Sequence, residues 1–164
     1  MKTIKLLTLP FFRTNPFTKL FTVSKPADTT KPTDKVQTTD TTKQTTTMET
    51  LHEKVSRLNQ MILNGKILEA FEEFYAENVS MQENENPPTV GKAACRINEE
   101  NFVTNITAFR GARVKNVIVS DDLSAVEWHF DFTHKDWGVR NYDQLAVQRW
   151  KDGKIIGEKF YYNY

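Results

Sequence analysis

Three runs near the C-terminal end of the chain alternate at a period of two, the pattern of strands with one apolar face. From Leu123 to His134, Trp128, Phe130 and Phe132 share one parity while Glu127, His129 and Asp131 share the other. After a break at Lys135–Gly138, a second run over 139–150 puts Tyr142, Gln144, Ala146, Gln148 and Trp150 on one face. The turn Lys151-Asp152-Gly153-Lys154 leads to a third run over 155–162, with Ile156, Glu158, Phe160 and Tyr162 in phase. Amides and an acid among aromatic rings predict a lined pocket rather than a sealed core. Upstream, Thr46 with Glu49 reads as a capping box, followed by the helical stripe Leu51, Val55, Leu58 and Ile62, which ends at Asn64-Gly65. Ile67, Ala70, Phe71 and Phe74 predict a second helix, broken at Glu77-Asn78, and a strand follows over 79–83. Residues 84–88, with Pro87 and Pro88, form a loop. Ala94, Cys95, Asn98 and Phe102 predict a third helix over 89–105, and a strand is expected over 113–119. Four final strands without intervening helices exclude a parallel α/β fold and predict helices packed on one face of an antiparallel sheet.

Composition changes the picture mainly at the N-terminal end. The chain has 164 residues, 38% of them hydrophobic, and a formal net charge of +1. Residues 1–25 carry bases and no acid, and residues 26–47 are a Thr/Lys/Pro-rich tract too polar to fold. The chain therefore divides into an extension (1–47) and one folded domain (48–164). The acid-free start resembles an organelle transit peptide, the alternative being a disordered tail or an upstream start codon, so the expected location is cytoplasmic or organellar. The folded part is mildly acidic, which argues against nucleic acid as a partner. No apolar run is long enough to span a bilayer. Cys95 is the one cysteine, so no internal disulfide forms, and its helical position suits a small buried side chain.

Residues 71–81 (FEEFYAENVSM), 87–94 (PPTVGKAA), 150–156 (WKDGKII) and 160–163 (FYYN) together resemble the SnoaL-like branch of the nuclear transport factor 2-like superfamily. The resemblance runs from about Glu49 to Tyr164. It implies an α+β fold in which a curved antiparallel or mixed sheet wraps around N-terminal helices as a cystatin-like cone with a cavity. It also implies a homodimer through the outer sheet face. The superfamily holds cyclases, isomerases and dehydratases as well as non-catalytic binders, so fold alone fixes no reaction. No local motif carries the family's catalytic carboxylates onto a position of this chain.

By strand parity, the residues expected to line the cavity are Met81, Trp128, Phe130, Phe132, Gln144, Gln148, Phe160 and Tyr162, with Tyr75 at the end of the second helix closing its mouth. A carboxylate held against aromatic rings is pushed toward neutrality and can move protons. The superfamily's isomerases pair an acid with a tyrosine or neutral acid that donates to an enolate oxygen. Glu158 with Tyr142 or Tyr162 is the arrangement this chain offers, and Glu83 and His134 are second candidates. The alternatives are a surface Glu158 paired with Lys159 or Arg149, and a His134 that merely ends a strand. There is no zinc-ligand spacing, phosphate loop or hydrolase elbow, so no metal or cofactor is expected. Two functions follow. One is small-molecule binding with cofactor-independent isomerase, cyclase or dehydratase chemistry on an apolar substrate. The other is a non-catalytic binding or dimerisation scaffold.

Overall fold

The computed structural model describes residues 48–163. The expected extension over 1–47, with its targeting and linker readings, lies outside the described residues. Helix α1 spans Leu51–Leu63, α2 Ile67–Phe74 and α3 Lys92–Asn105. The strands are β1 Tyr75–Glu83, β2 Thr89–Val90, β3 Ile106–Ser120, β4 Leu123–His134, β5 Gly138–Lys151 and β6 Lys154–Tyr162. They form one open six-stranded sheet in the order β2-β1-β6-β5-β4-β3. The pairing is antiparallel except between β1 and β6, which run parallel, so the sheet is mixed.

Local chemistry sets most boundaries. The capping box of α1 is Thr50 with Glu53, one turn later than expected, with the Thr50 amide and the Glu53 amide each bonded to the other's side chain. Glu49 instead pairs with Lys54 and Arg57. At the other end Gly65 takes a φ of 73° and its amide bonds Ile62, closing the helix. No loop separates α2 from β1: Tyr75 is at once the C-cap and the first strand residue, so the break expected at Glu77-Asn78 falls within β1. The stretch expected to open α3 pairs with β1 as β2, and the helix starts after Gly91. Strand β3 runs from Ile106, well before 113, because irregularities at Ile106/Ala108, Phe109/Gly111 and Val114/Asn116 interrupt its alternation. Asp152 and Gly153 both adopt positive φ, 51° and 74°, the two-residue turn whose twist matches a hairpin.

The helices cover one face of the sheet. Val55 and Leu58 of α1 join Phe71 and Phe74 of α2 against Val126, Trp128, Trp150 and Ile155 of the strands. A second cluster gathers Val103, Ile106 and Phe132 with Phe102 and Phe109. Full burial of each such side chain contributes about 1.5–3 kcal/mol. Cys95 is fully buried, and its thiol donates to the Thr89 carbonyl at 3.4 Å. The opposite face carries charge pairs beside exposed apolar side chains: Lys115 bridges Glu127 and Asp143, His129 meets Asp143 at 2.8 Å, and Arg110 pairs with Asp131, while Ile118 and Leu145 stand open to solvent.

Candidate active site

The even-numbered residues of β4 and β5, and of β6 from Glu158 onward, face the helices; at the start of β6 Ile155, not the Ile156 expected in phase, is the core residue, because the pairing with β5 shifts register between Arg149 and Trp150. Between sheet and helices lies a cavity of about 130 Å³, on the scale that holds one six-membered ring, since an engineered cavity of roughly 150 Å³ takes up benzene. Strand β4 supplies Trp128 and Phe130, β5 supplies Tyr142, Gln144 and Gln148, and β6 supplies Glu158, Phe160 and Tyr162. Tyr75 and Glu83 enter from the two ends of β1, and Phe71, Glu99 and Phe102 from the helices.

Glu158 is buried and held at both oxygens. The Tyr75 hydroxyl donates to Oε2 at 2.6 Å, and Gln148 Nε2 donates to Oε1 at 2.8 Å. Burial pushes its carboxyl up to about 7, although both hydrogen bonds favour the charged form. Neither Lys159 nor Arg149 pairs with it; Lys159 bonds Glu85 instead. Burial and the Glu158 charge hold the Tyr75 phenol well above its ordinary range, so it stays protonated.

Two further carboxyls approach. Glu83 stands at the rim: the residue keeps solvent contact, but burial of its carboxyl raises its pKa, and a hydrogen bond to Tyr162 works the other way. Glu99, on α3, is pushed up to about 8 by burial and then by the charges of Glu158 and Glu83. Sequence reasoning missed Glu99 because it phased α3 through Asn98. The signal was present: Glu99 lies four residues after Cys95 and four before Val103, the two buried residues of the helix. Among the described residues, no group of three His, Cys, Asp or Glu side chains is arranged to hold a metal ion.

Three residues expected on the cavity wall are placed elsewhere. Phe132 is fully buried in the second cluster, where Phe102 meets it edge-on at 5.6 Å. Met81 packs against the main cluster beside β6. His134 stacks on Trp137 at 3.8 Å, and its Nδ1 accepts from the Asp136 amide, so it closes the end of β4. Burial lowers its pKa and keeps it neutral.

Helices on one face of an open mixed sheet, with a buried acid in an aromatic cavity, define an α+β protein of the cystatin-like, nuclear transport factor 2-like class. Within that class the chain belongs to the SnoaL-like family, whose model matches residues 48–162. A Mesorhizobium loti structure named as a candidate SnoaL-like polyketide cyclase [carbohydrate phosphatase] is 28% identical, with a TM-score of 0.63 over 69% of this chain and 99% of that one. A Xanthomonas campestris protein of unknown function with a cystatin-like fold is 14% identical, with a TM-score of 0.61 over 69% and 90% of the two chains. A Catenulispora acidiphila protein with a ketosteroid isomerase-like fold, in complex with trimethylamine, is 13% identical, with a TM-score of 0.57 over 70% and 88%. No curated protein matches the chain. Among the described residues, no helix is long and apolar enough to cross a membrane.

Proposed function

We propose that this chain binds a small, largely apolar molecule about one ring in size and moves a proton within it without a cofactor. The observation that carries this reading is Glu158, a buried carboxyl facing an aromatic cavity and poised to exist in both protonation states near neutral pH. In an isomerisation, Glu158 takes a proton from carbon beside a carbonyl and returns it to another carbon, so no co-reactant is needed. Tyr142 and Tyr162, which line the cavity with ring centroids 5.3 Å apart, supply hydroxyls for the oxygen on which charge develops. Glu83 and Glu99 are the other carboxyls within reach of the same space.

Native mass spectrometry of the purified full chain tests the binding. A small molecule carried through purification, and lost or weakened in Glu158→Gln and Tyr142→Phe, is the expected result. Retention unchanged in both variants removes these residues from the site.

A second reading, a binding scaffold that dimerises, is favoured by the outer sheet face. Ile118, Leu145 and Tyr161 are exposed there beside the Lys115 charge cluster. Light scattering at tens of micromolar tests it; a strict monomer rejects the outer-face dimer.

A further inference from the structure

The buried acid ends a chain of hydrogen bonds that begins outside the cavity. Trp150 Nε1 donates to Ser124 Oγ at 2.9 Å, Ser124 Oγ donates to Gln148 Oε1 at 2.7 Å, and Gln148 Nε2 donates to Glu158 Oε1 at 2.8 Å. All four side chains are at most 5% exposed, and neither Trp150 nor Ser124 lines the cavity. An indole nitrogen only donates, so Ser124 accepts there and is free to give its own proton to Gln148. That proton goes to the Gln148 oxygen, which turns the amide nitrogen toward Glu158.

We propose that Trp150 and Ser124 are positioning residues, which lock the Gln148 amide so that Oε1 of Glu158 is always an acceptor. The proton of neutral Glu158 is then confined to Oε2, beside the Tyr75 hydroxyl. When Oε2 carries it, Tyr75 becomes the acceptor and its own proton turns away from the acid. Without the lock, the amide can rotate by half a turn and offer its oxygen to Glu158, which favours the protonated acid. This inference rests on the proton-transfer reading of Glu158. It concerns the ligand-free protein, so it can fail while that reading stands.

The groups that face Glu158 are Tyr75 and Glu83 of β1, Glu99 of α3 with Arg96 near it, the buried Cys95 thiol, and Gln148 of β5. The test follows the Glu158 carboxyl carbon by NMR from pH 5 to 9 in the full chain, with the signal assigned by its absence in Glu158→Gln. Ser124→Ala and Trp150→Phe are each expected to raise the titration midpoint by about one pH unit, the scale of one hydrogen bond to a charged group. Gln148→Met is expected to raise it similarly. Ser124→Ala in the Gln148→Met background is expected to add little, because Ser124 acts only through the amide. A midpoint that stays within a few tenths in both Ser124→Ala and Trp150→Phe overturns the proposal, and so does a Ser124→Ala shift that adds in full to that of Gln148→Met. A readout on the unmutated protein does not depend on variant folding. There, the Gln148 amide protons should be protected from exchange and titrate with Glu158; exchange at the rate of a free side chain overturns the lock.

Discussion

Replacing Glu158 by glutamine should make the protein more stable in alkaline solution, and by a calculable amount. Burial raises the carboxyl from an ordinary 4.5 to about 7 in the folded chain. At about 1.4 kcal/mol per pH unit, ionising Glu158 costs about 3 kcal/mol of folding free energy. Below pH 4.5 both states hold the proton and nothing is lost. Between 4.5 and 7 the folded state keeps a proton that the unfolded chain has released, so stability falls as pH rises; above 7 the loss is complete. Glutamine cannot ionise, accepts from Gln148 through its oxygen and donates to Tyr75 through its amide, so it reproduces the neutral acid. Carboxylates held low by partners, such as Glu49 at about 2, act below this window. The depressed pKa of His134 works in the opposite direction but is common to both proteins. Urea unfolding, followed through the three tryptophans, should give similar midpoints at pH 5. By pH 8 the variant should lead by about 2 M, taking a slope of roughly 1.5 kcal/mol per molar urea. Parallel stability curves for the two proteins from pH 5 to 8 would refute the reasoning.

The same substitution should lower the Glu99 titration below about 8, since the Glu158 charge is one of those that raise it; carboxyl-carbon NMR reads the shift. Phe132→Ala should cost about 3–5 kcal/mol in chemical denaturation, because it empties the centre of the second cluster. Gly153→Ala should cost about 1 kcal/mol by thermal unfolding, as its φ of 74° suits glycine, although only the flexible end of Lys54 lies near the added carbon. Removing residues 1–47 should leave circular dichroism and the unfolding midpoint of the remaining domain unchanged; loss of folding would put part of the domain inside the extension.

How far the sequence could be read depended on how local the governing physics is. Parity along β4, β5 and β6 is a property of each strand alone, and it placed Trp128, Phe130, Gln144, Gln148, Glu158 and Phe160 on the inner face. The Asp152-Gly153 hairpin was legible for the same reason. The parallel pairing of β1 with β6 was not, because it joins segments some eighty residues apart and leaves no periodic trace in either. Strand parity alone also put Phe132 and His134 on the cavity wall. They share the phase of Trp128, but Phe102 of α3 and Trp137 of the next turn close over that end of β4. Glu99 escaped notice because α3 has one acid inside its buried stripe, and the polar Asn98 beside it was taken into the phase instead. Tyr75 was foreseen at the end of α2, but its bond to Glu158 depends on a contact between residues far apart in the chain.

That tyrosine ends the helix and begins the strand with no spacer between them. Its ring also stacks on Phe71 at 4.6 Å, and both rings face the cavity. Bonded through its hydroxyl to Glu158 and through its ring to the last turn of the helix, this one side chain ties α2, β1 and β6 together at the cavity wall.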